Sequence, residues 1–393
     1  MTNSLDINES MCIMAWDTVA IRPYGVVLPC CRFKPDAEFA AASRIDSDFR
    51  NGQQWQQLRQ KMLDGEPLKG CQTCYQDDAA KKTSMRVFET RNQIVHLHKP
   101  VPTTTESTKL RFLEIAFSNL CNLACVGCNS NFSSTWAAED YKRGRLNTQT
   151  TSALVQHDND LSDLDLSSLE DLKLIGGEPF MDQKRYIELM SRVDLSRVRL
   201  RISTNGTVLP SERLRELMEQ CKQVILRVSI DGVGSVNEWY RWPTNFTEFQ
   251  SNLDQFESWW GNNPRFILAT HTVVNIYNVW TLDQLVLFMN DRYPRWSLDF
   301  DLLKHPNWQS VLVLPEEHKH RLSEKLAMWH NTISGNWPEW HGCPFETTRQ
   351  KLQLPAQSTI EEFKEKTLAL AAERNLDLFK MVPDIQPLFR NSP

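Results

Sequence analysis

Cys121, Cys125 and Cys128 stand in the run Cys121-Asn122-Leu123-Ala124-Cys125-Val126-Gly127-Cys128, a C-x3-C-x2-C spacing. The run follows a strand-like stretch at 110–118. Three thiolates on one short loop can hold three irons of a cubane cluster. The fourth iron then takes no protein ligand from that loop. An open iron separates a reactive cluster from an electron-storage cluster, which four cysteines close. A zinc site would need a fourth nearby ligand to complete its tetrahedron, and no further Cys or His follows before His157. The remaining reading is three unrelated core cysteines, but chance seldom gathers three of ten cysteines into eight residues of a 393-residue chain.

Composition narrows the class. Apolar residues make up 41% of the chain, enough for a substantial core, and the net charge is −5 with both signs interspersed. No basic run points to nucleic acid; Lys81-Lys82 is only a pair and reads as a solvated face. No stretch approaches the roughly 18 apolar residues of a membrane span, and the polar start, Met1 to Asn8, lacks a signal core. Cysteines without an export signal imply reduced thiols and metal ligation, hence a cytoplasmic location. Of thirteen tryptophans, Trp259, Trp260, Trp296 and Trp329 fall at helix- or strand-like positions and read as core or pocket wall.

From 110 onward short apolar runs alternate with amphipathic ones. Strands are expected at 110–118, 172–176, 198–203, 224–230, 265–273 and 297–303, and helices at 131–142, 182–192, 211–221, 246–260, 280–290 and 315–333. Such alternation means βαβ units and a parallel sheet, an α/β fold. The polar stretch Gly144 to Ser168 reads as a loop or weakly ordered insertion. Two prolines and a polar run make 100–109 a linker between an N-terminal module, 1–99, and the core, 110–334. The remaining 335–393 is an extension of unassigned role with one clear helix at 358–374.

Cys12, Cys30, Cys71 and Cys74 form a second set. Ile13 to Arg22 and Val26 to Pro29 read as strands around Pro23-Tyr24-Gly25, a hairpin that brings Cys12 and Cys30 to one end. Trp55, Leu58 and Met62 recur at helical spacing, so 52–64 is an amphipathic helix ended by Gly65 and Pro67. Cys71-Gln72-Thr73-Cys74 follows at the C-x2-C spacing that lets two thiolates reach one metal. Four thiolates close either a cluster or a zinc tetrahedron. Cys31, beside Cys30, is an alternative ligand. Cys221 reads as a buried structural thiol. Cys343, in Trp340-His341-Gly342-Cys343-Pro344, reads first as a core residue, with cluster ligand or hydrogen-atom donor as alternatives; His341 receives no role.

Polar residues close several expected strands: Gly176-Gly177-Glu178-Pro179, Ser203-Thr204-Asn205-Gly206 and Ser229-Ile230-Asp231-Gly232. Strand ends of this kind face the active mouth of a β/α barrel. The cysteine loop resembles the signature of the radical S-adenosylmethionine (SAM) superfamily, and the later motifs, with Arg241 in Tyr240-Arg241-Trp242-Pro243, are similar to that superfamily's in order. The resemblance covers about 110–305 and implies an incomplete (β/α)6 barrel. By it, Gly176, Gly177 and Glu178 bind the SAM amino group, and Ser203 and Asn205, at the third strand end, are further cofactor-binding residues. Ser229 and Asp231 contact ribose and carboxylate, and Arg241 pairs with the carboxylate. The residue before the third cysteine is often aromatic and packs near adenine; here it is Gly127, leaving Phe117 and Trp136 as candidates.

The N-terminal set is similar to the twitch domain, the shortened relative of the SPASM domain, although it precedes the SAM core where it usually follows. That resemblance implies a second, auxiliary 4Fe–4S cluster on Cys12, Cys30, Cys71 and Cys74. The implied activity is reductive cleavage of SAM to a 5′-deoxyadenosyl radical, followed by hydrogen abstraction for oxidation or another C–H modification of a small molecule. An external electron donor such as flavodoxin or ferredoxin is expected, with no nucleic-acid or membrane partner. The alternative is a peptide maturase that crosslinks or epimerises a ribosomal peptide; a non-catalytic Fe–S carrier or redox sensor is more remote, because a carrier needs no SAM pocket. No leader-binding domain is evident, which favours a small or unguided substrate.

Overall fold

The computed structural model describes residues 8–36, 39, 48–79, 83–96, 98–145, 155, 161–338 and 342–390. The Lys81-Lys82 pair, His341 and most of the expected loop at 144–168 lie outside them. Eight strands make one sheet: β1 Thr18–Ile21, β2 Val27–Leu28, β3 Phe112–Ala116, β4 Asp171–Ile175, β5 Arg199–Thr204, β6 Gln223–Ser229, β7 Phe266–Val274 and β8 Ser297–Leu302. Their order is β2-β1-β3-β4-β5-β6-β7-β8. Helices Ser134–Lys142, Gln183–Met190, Glu212–Gln220, Phe246–Trp260 and Leu282–Arg292 fill the connections from β3 to β8, and Glu316–Thr332 follows β8. This is the six-fold β/α alternation expected of the incomplete barrel. Each observed strand and helix falls within a few residues of its expected position, because the apolar periods of 2 and 3.6 are clear there.

Contacts divide the chain into two compact units. The first comprises Met1–Asn119, Leu154–Arg201 and Glu212–Lys222. In it β1 and β2 pair antiparallel, with Ala20 opposite Leu28, while β1 runs parallel to β3 with Ile21 opposite Ile115. β3 and β4 are also parallel, Ile115 opposite Leu174. Val19, Ile21, Leu113, Ile115, Leu172 and Leu174 are buried on the apolar side. On the other side Glu114, 1% exposed, sits between Arg22 at 3.1 Å and Lys173 at 2.9 Å. Two cations on one buried carboxylate offset its desolvation.

The N-terminal segment therefore joins β3 through strand pairing and is not set apart by a free tether. The expected linker is a docked strap: Trp16 Nε1 donates to Thr104 O at 2.8 Å, Arg59 Nη1 to Thr105 O at 2.8 Å, and Thr108 N to Trp16 O at 3.0 Å. The strand expected from Ile13 begins at Thr18, because Met14–Asp17 makes a helical turn first. That turn presents Asp17 to Arg111, whose Nε lies 2.9 Å from its carboxylate.

The second unit comprises Leu120–Ala153, Ile202–Ser211 and Gln223–Pro393. β6, β7 and β8 run parallel, with Val228 opposite Thr270 and Thr272 opposite Phe300. β6 alternates strictly, burying Val224, Leu226 and Val228. Trp260, Trp296 and Trp329 are buried as expected, and Trp259 is half-buried. The helix expected at 358–374 spans Ile360–Arg374; Thr359 caps it by accepting from Glu362 N, and Asn375 ends it at φ 53°. Among the described residues six short helices went unpredicted, Met14–Asp17, Gln72–Ala79, Met85–Arg91, Ser235–Tyr240, Pro344–Lys351 and Leu378–Met381. Each has at most eight residues, too few to show a period.

Candidate iron–sulfur sites

In the second unit the loop 121–128 has no regular structure, yet its backbone is tied at nearly every residue. Ser134 and Thr135, in the first turn of the Ser134–Lys142 helix, donate to Cys121 O at 3.1 and 2.7 Å. Trp136 Nε1 donates to Cys125 O at 2.7 Å. The segment after the Ser235–Tyr240 helix lies alongside, with Ala124 N donating to Trp242 O at 2.6 Å and Val126 N to Tyr240 O at 2.7 Å. Gln309 Nε2 donates to Val126 O at 2.8 Å. The main chain of the loop is thus held by the surrounding protein. Burial, outweighing the nearby Arg241 cation, pushes the Cys125 thiol up to about 12. Burial also raises Cys128. Without a bound cation these groups stay protonated, so a metal must displace their protons.

Asn205, just after β5, anchors this loop. Its Nδ2 donates to Asn122 Oδ1 at 3.0 Å and approaches Cys121 Sγ at 3.8 Å, while its Oδ1 accepts from Thr207 N at 2.9 Å. Ser203 is exposed near the end of β5, and Ser229 is half-buried at the end of β6. Asp231 is fully buried: its Oδ1 accepts from Val273 N at 2.8 Å and its Oδ2 lies 2.8 Å from Arg241 Nε. Burial opposes the Arg241 charge, but Asp231 and then Cys125 outweigh it and hold the guanidinium above its ordinary value. Arg241 Nη1 lies 3.9 Å from Cys125 Sγ. Arg241 therefore joins a buried carboxylate to a candidate cluster thiol.

The departure at Gly127 has a physical cause. A Cβ there would stand 2.2 Å from the hydroxyl of Tyr240, which is 3% exposed. That hydroxyl lies 3.3 Å from Gln309 Oε1. Tyr240 occupies the space a side chain at 127 would need, and no local signal in the sequence marks it. Of the two aromatic candidates for adenine, Trp136 is committed to the loop carbonyl, while Phe117, in the first unit, packs on Tyr186 at 5.0 Å.

The glycine pair lies in the first unit. Gly176 has φ 148°, and its missing Cβ would meet Ser118 O at 3.0 Å. Gly177 N donates to Ser118 O at 3.2 Å. Glu178, 1% exposed, caps the Pro179–Met181 turn by accepting from Phe180 N at 3.0 Å.

Also in the first unit, Cys12, Cys30, Cys71 and Cys74 line one pocket together with Phe33 and Met85. Cys12 precedes the first helical turn, Cys30 follows β2, and Cys71 and Cys74 flank the start of the Gln72–Ala79 helix. Gly70 is required beside them, since a Cβ would stand 2.4 Å from the Phe33 ring. Burial, then repulsion from Cys30, pushes Cys71 up to about 12; burial, then a neighbouring thiol, also raises Cys12 and Cys30. Among the described residues no three Cys, His, Asp or Glu side chains converge on a single ion. Cys31 does not line the cavity. Its Sγ lies 3.6 Å from Met85 Sδ, and burial, then Glu114, raises it to about 11.

Cys221 is buried, with Sγ 3.5 Å from Leu217 O, as a structural thiol should be. Cys343 is half-buried, stands before the Pro344–Lys351 helix and does not line the four-cysteine cavity.

Residues 110–238 match the family described as a 4Fe–4S single cluster domain. The match contains Cys121, Cys125 and Cys128 and agrees with the expected cluster-bearing core of a radical SAM protein. Among solved structures, native anSMEcpe with bound AdoMet and Cp18Cys peptide aligns at 14% identity and TM-score 0.35, covering 62% of this chain and 65% of that one. The chain thus spans slightly less than two thirds of that protein. Streptococcus suis SuiB aligns at 15% identity and TM-score 0.36, covering 88% of this chain and 74% of that one. No curated protein matches the chain. No helix among the described residues is long and apolar enough to cross a membrane.

Proposed function

We propose that the chain is a radical SAM enzyme with two 4Fe–4S clusters, one open and one auxiliary. The observation that carries this reading is the pair of thiol sets with different ligand counts. Three cysteines stand on one loop whose main chain is held by the surrounding protein, and four others line one pocket. When bound, the open cluster and SAM supply a 5′-deoxyadenosyl radical that takes a hydrogen atom from an unactivated C–H bond. The protein's part is to hold and shield. Asn205, Ser134, Thr135 and Gln309 fix the loop. Arg241, kept charged by Asp231, offers a cation beside Cys125 for an anionic ligand group. Glu178, at a glycine-flanked strand end, is the carboxylate for an ammonium group. The four pocket thiols of the first unit, Cys12 and Cys74 buried and Cys30 and Cys71 half-buried, would bind an auxiliary cluster that exchanges electrons with substrate. An external one-electron donor is then required.

The test is anaerobic reconstitution followed by reaction with SAM and a reductant. About eight irons per chain are expected if both clusters are 4Fe–4S, with 5′-deoxyadenosine as product. Replacing Cys121, Cys125 and Cys128 by Ala should remove about half the iron and all SAM cleavage. Deuterium transfer from labelled small molecules or peptides into 5′-deoxyadenosine identifies the substrate class. Wild-type protein that holds one zinc and a single cluster would refute the auxiliary half of the reading.

A further inference from the structure

The helix Ile360–Arg374 belongs to the segment for which the sequence offers no role, and its last residue reaches the cluster loop. The Arg374 side chain is 1% exposed. Its Nη2 donates at 2.7 Å to the carbonyl of Ala124, which lies between Cys121 and Cys125. Its guanidinium carbon stands 4.8 Å from the centre of the Trp136 ring. That indole in turn donates to Cys125 O at 2.7 Å. Arg374 therefore grips the loop twice, once directly and once through Trp136.

Two further observations concern charge. Glu139, 3.3 Å from Arg374 Nη2, is shared with Arg143 Nη1 at 2.9 Å, so one carboxylate serves two guanidiniums. Arg374 Nε and Nη1 are buried and have no hydrogen-bond partner. Unpaired buried donors are costly, and a chain retains such an arrangement where another acceptor arrives. Three thiolates on the loop would bring negative charge within this region.

We propose that Arg374 is a positioning residue for the 121–128 loop: it holds the loop's shape before metal arrives and neutralises the charge of the loaded cluster afterwards. The second part rests on the cluster reading given above; the first does not. A cation near an iron–sulfur cluster favours its reduced, more negative form, so Arg374 would raise the cluster's potential.

The experiment compares full-length Arg374→Met, which keeps bulk without charge, with Arg374→Lys, which keeps charge without the planar fork. Lys366→Met, exposed on the same helix, is the control. In cluster-free protein, hydrogen exchange at amides 121–128 should accelerate at least tenfold in both Arg374 variants, with β7 amides and the control unchanged. In loaded protein, an EPR-monitored titration of the loop cluster should give a lower midpoint potential for Arg374→Met and a near-wild-type value for Arg374→Lys. Unchanged loop exchange in Arg374→Lys overturns the positioning role, even if Arg374→Met fails to fold. Equal potentials in Arg374→Met and wild type overturn the charge role. Wild type that takes no cluster on this loop refutes the functional reading, while the exchange experiment still decides the clamp.

Discussion

Replacing Gly127 by Ala tests whether the loop's shape depends on Tyr240. The added Cβ would lie 2.2 Å from the Tyr240 hydroxyl oxygen and 3.0 Å from Cζ. Ordinary carbon–oxygen contact begins a full ångström farther out, so ring or loop must move. The ring has little freedom: it is 3% exposed and packs against Tyr277 at 6.0 Å between centroids. The loop is held on the same side by Val126 N to Tyr240 O at 2.7 Å and Gln309 Nε2 to Val126 O at 2.8 Å. Overpacking of a fixed site costs about 1–3 kcal/mol, and loss of the contact between the hydroxyl and Gln309 adds about 1 kcal/mol. The expected destabilisation is about 2–4 kcal/mol, read by urea denaturation of the cluster-free chain with the slope unchanged. Tyr240→Phe removes the atom at 2.2 Å, so the double variant should recover part of the loss, a favourable coupling in a double-mutant cycle. Equal stability of Gly127→Ala and wild type, or strict additivity in the cycle, would show that Tyr240 does not occupy the space at 127.

Cys30→Ala should lose the auxiliary cluster while Cys31→Ala retains it, measured as iron per chain after anaerobic reconstitution, because only Cys30 lines the cavity. The reverse outcome would move the ligand to Cys31. Arg241→Ala leaves the fully buried Asp231 carboxylate without its cation, which typically costs about 3–5 kcal/mol; pairing it with Asp231→Asn should restore most of that in denaturant titrations, and a loss below about 1 kcal/mol would mean that the pair is solvated. Glu178→Gln should weaken SAM binding roughly tenfold or more, the loss of one charge-assisted hydrogen bond; unchanged affinity by equilibrium dialysis would remove the glycine pair from the SAM site.

Why some of this was legible in the sequence and some was not comes down to the range of the interactions. Strand β6 and the Phe246–Trp260 helix announce themselves because each residue's environment repeats at a fixed short period. The cysteine loop is legible for a different reason: in the proposed reading its thiols all reach one cluster, so spacing alone constrains them. The choice between Cys30 and Cys31 is not local, since Met85 and Glu114 define the second thiol's surroundings from 54 and more residues away. The same holds for Gly127, whose smallness reads as a departure from a familiar pattern until Tyr240 is seen beside it, and for Arg374, 250 residues from the carbonyl it holds. Asn205 shows the intermediate case. A polar residue at a strand end reads as a cofactor contact, but its type alone does not show that it also braces the loop through Asn122 and Thr207. A loop that must present three thiolates to one cluster has to be rigid without using those thiols, so its rigidity comes from backbone contacts with distant segments. Such contacts leave no motif, and the braces of the site are accordingly the part that only the fold reveals.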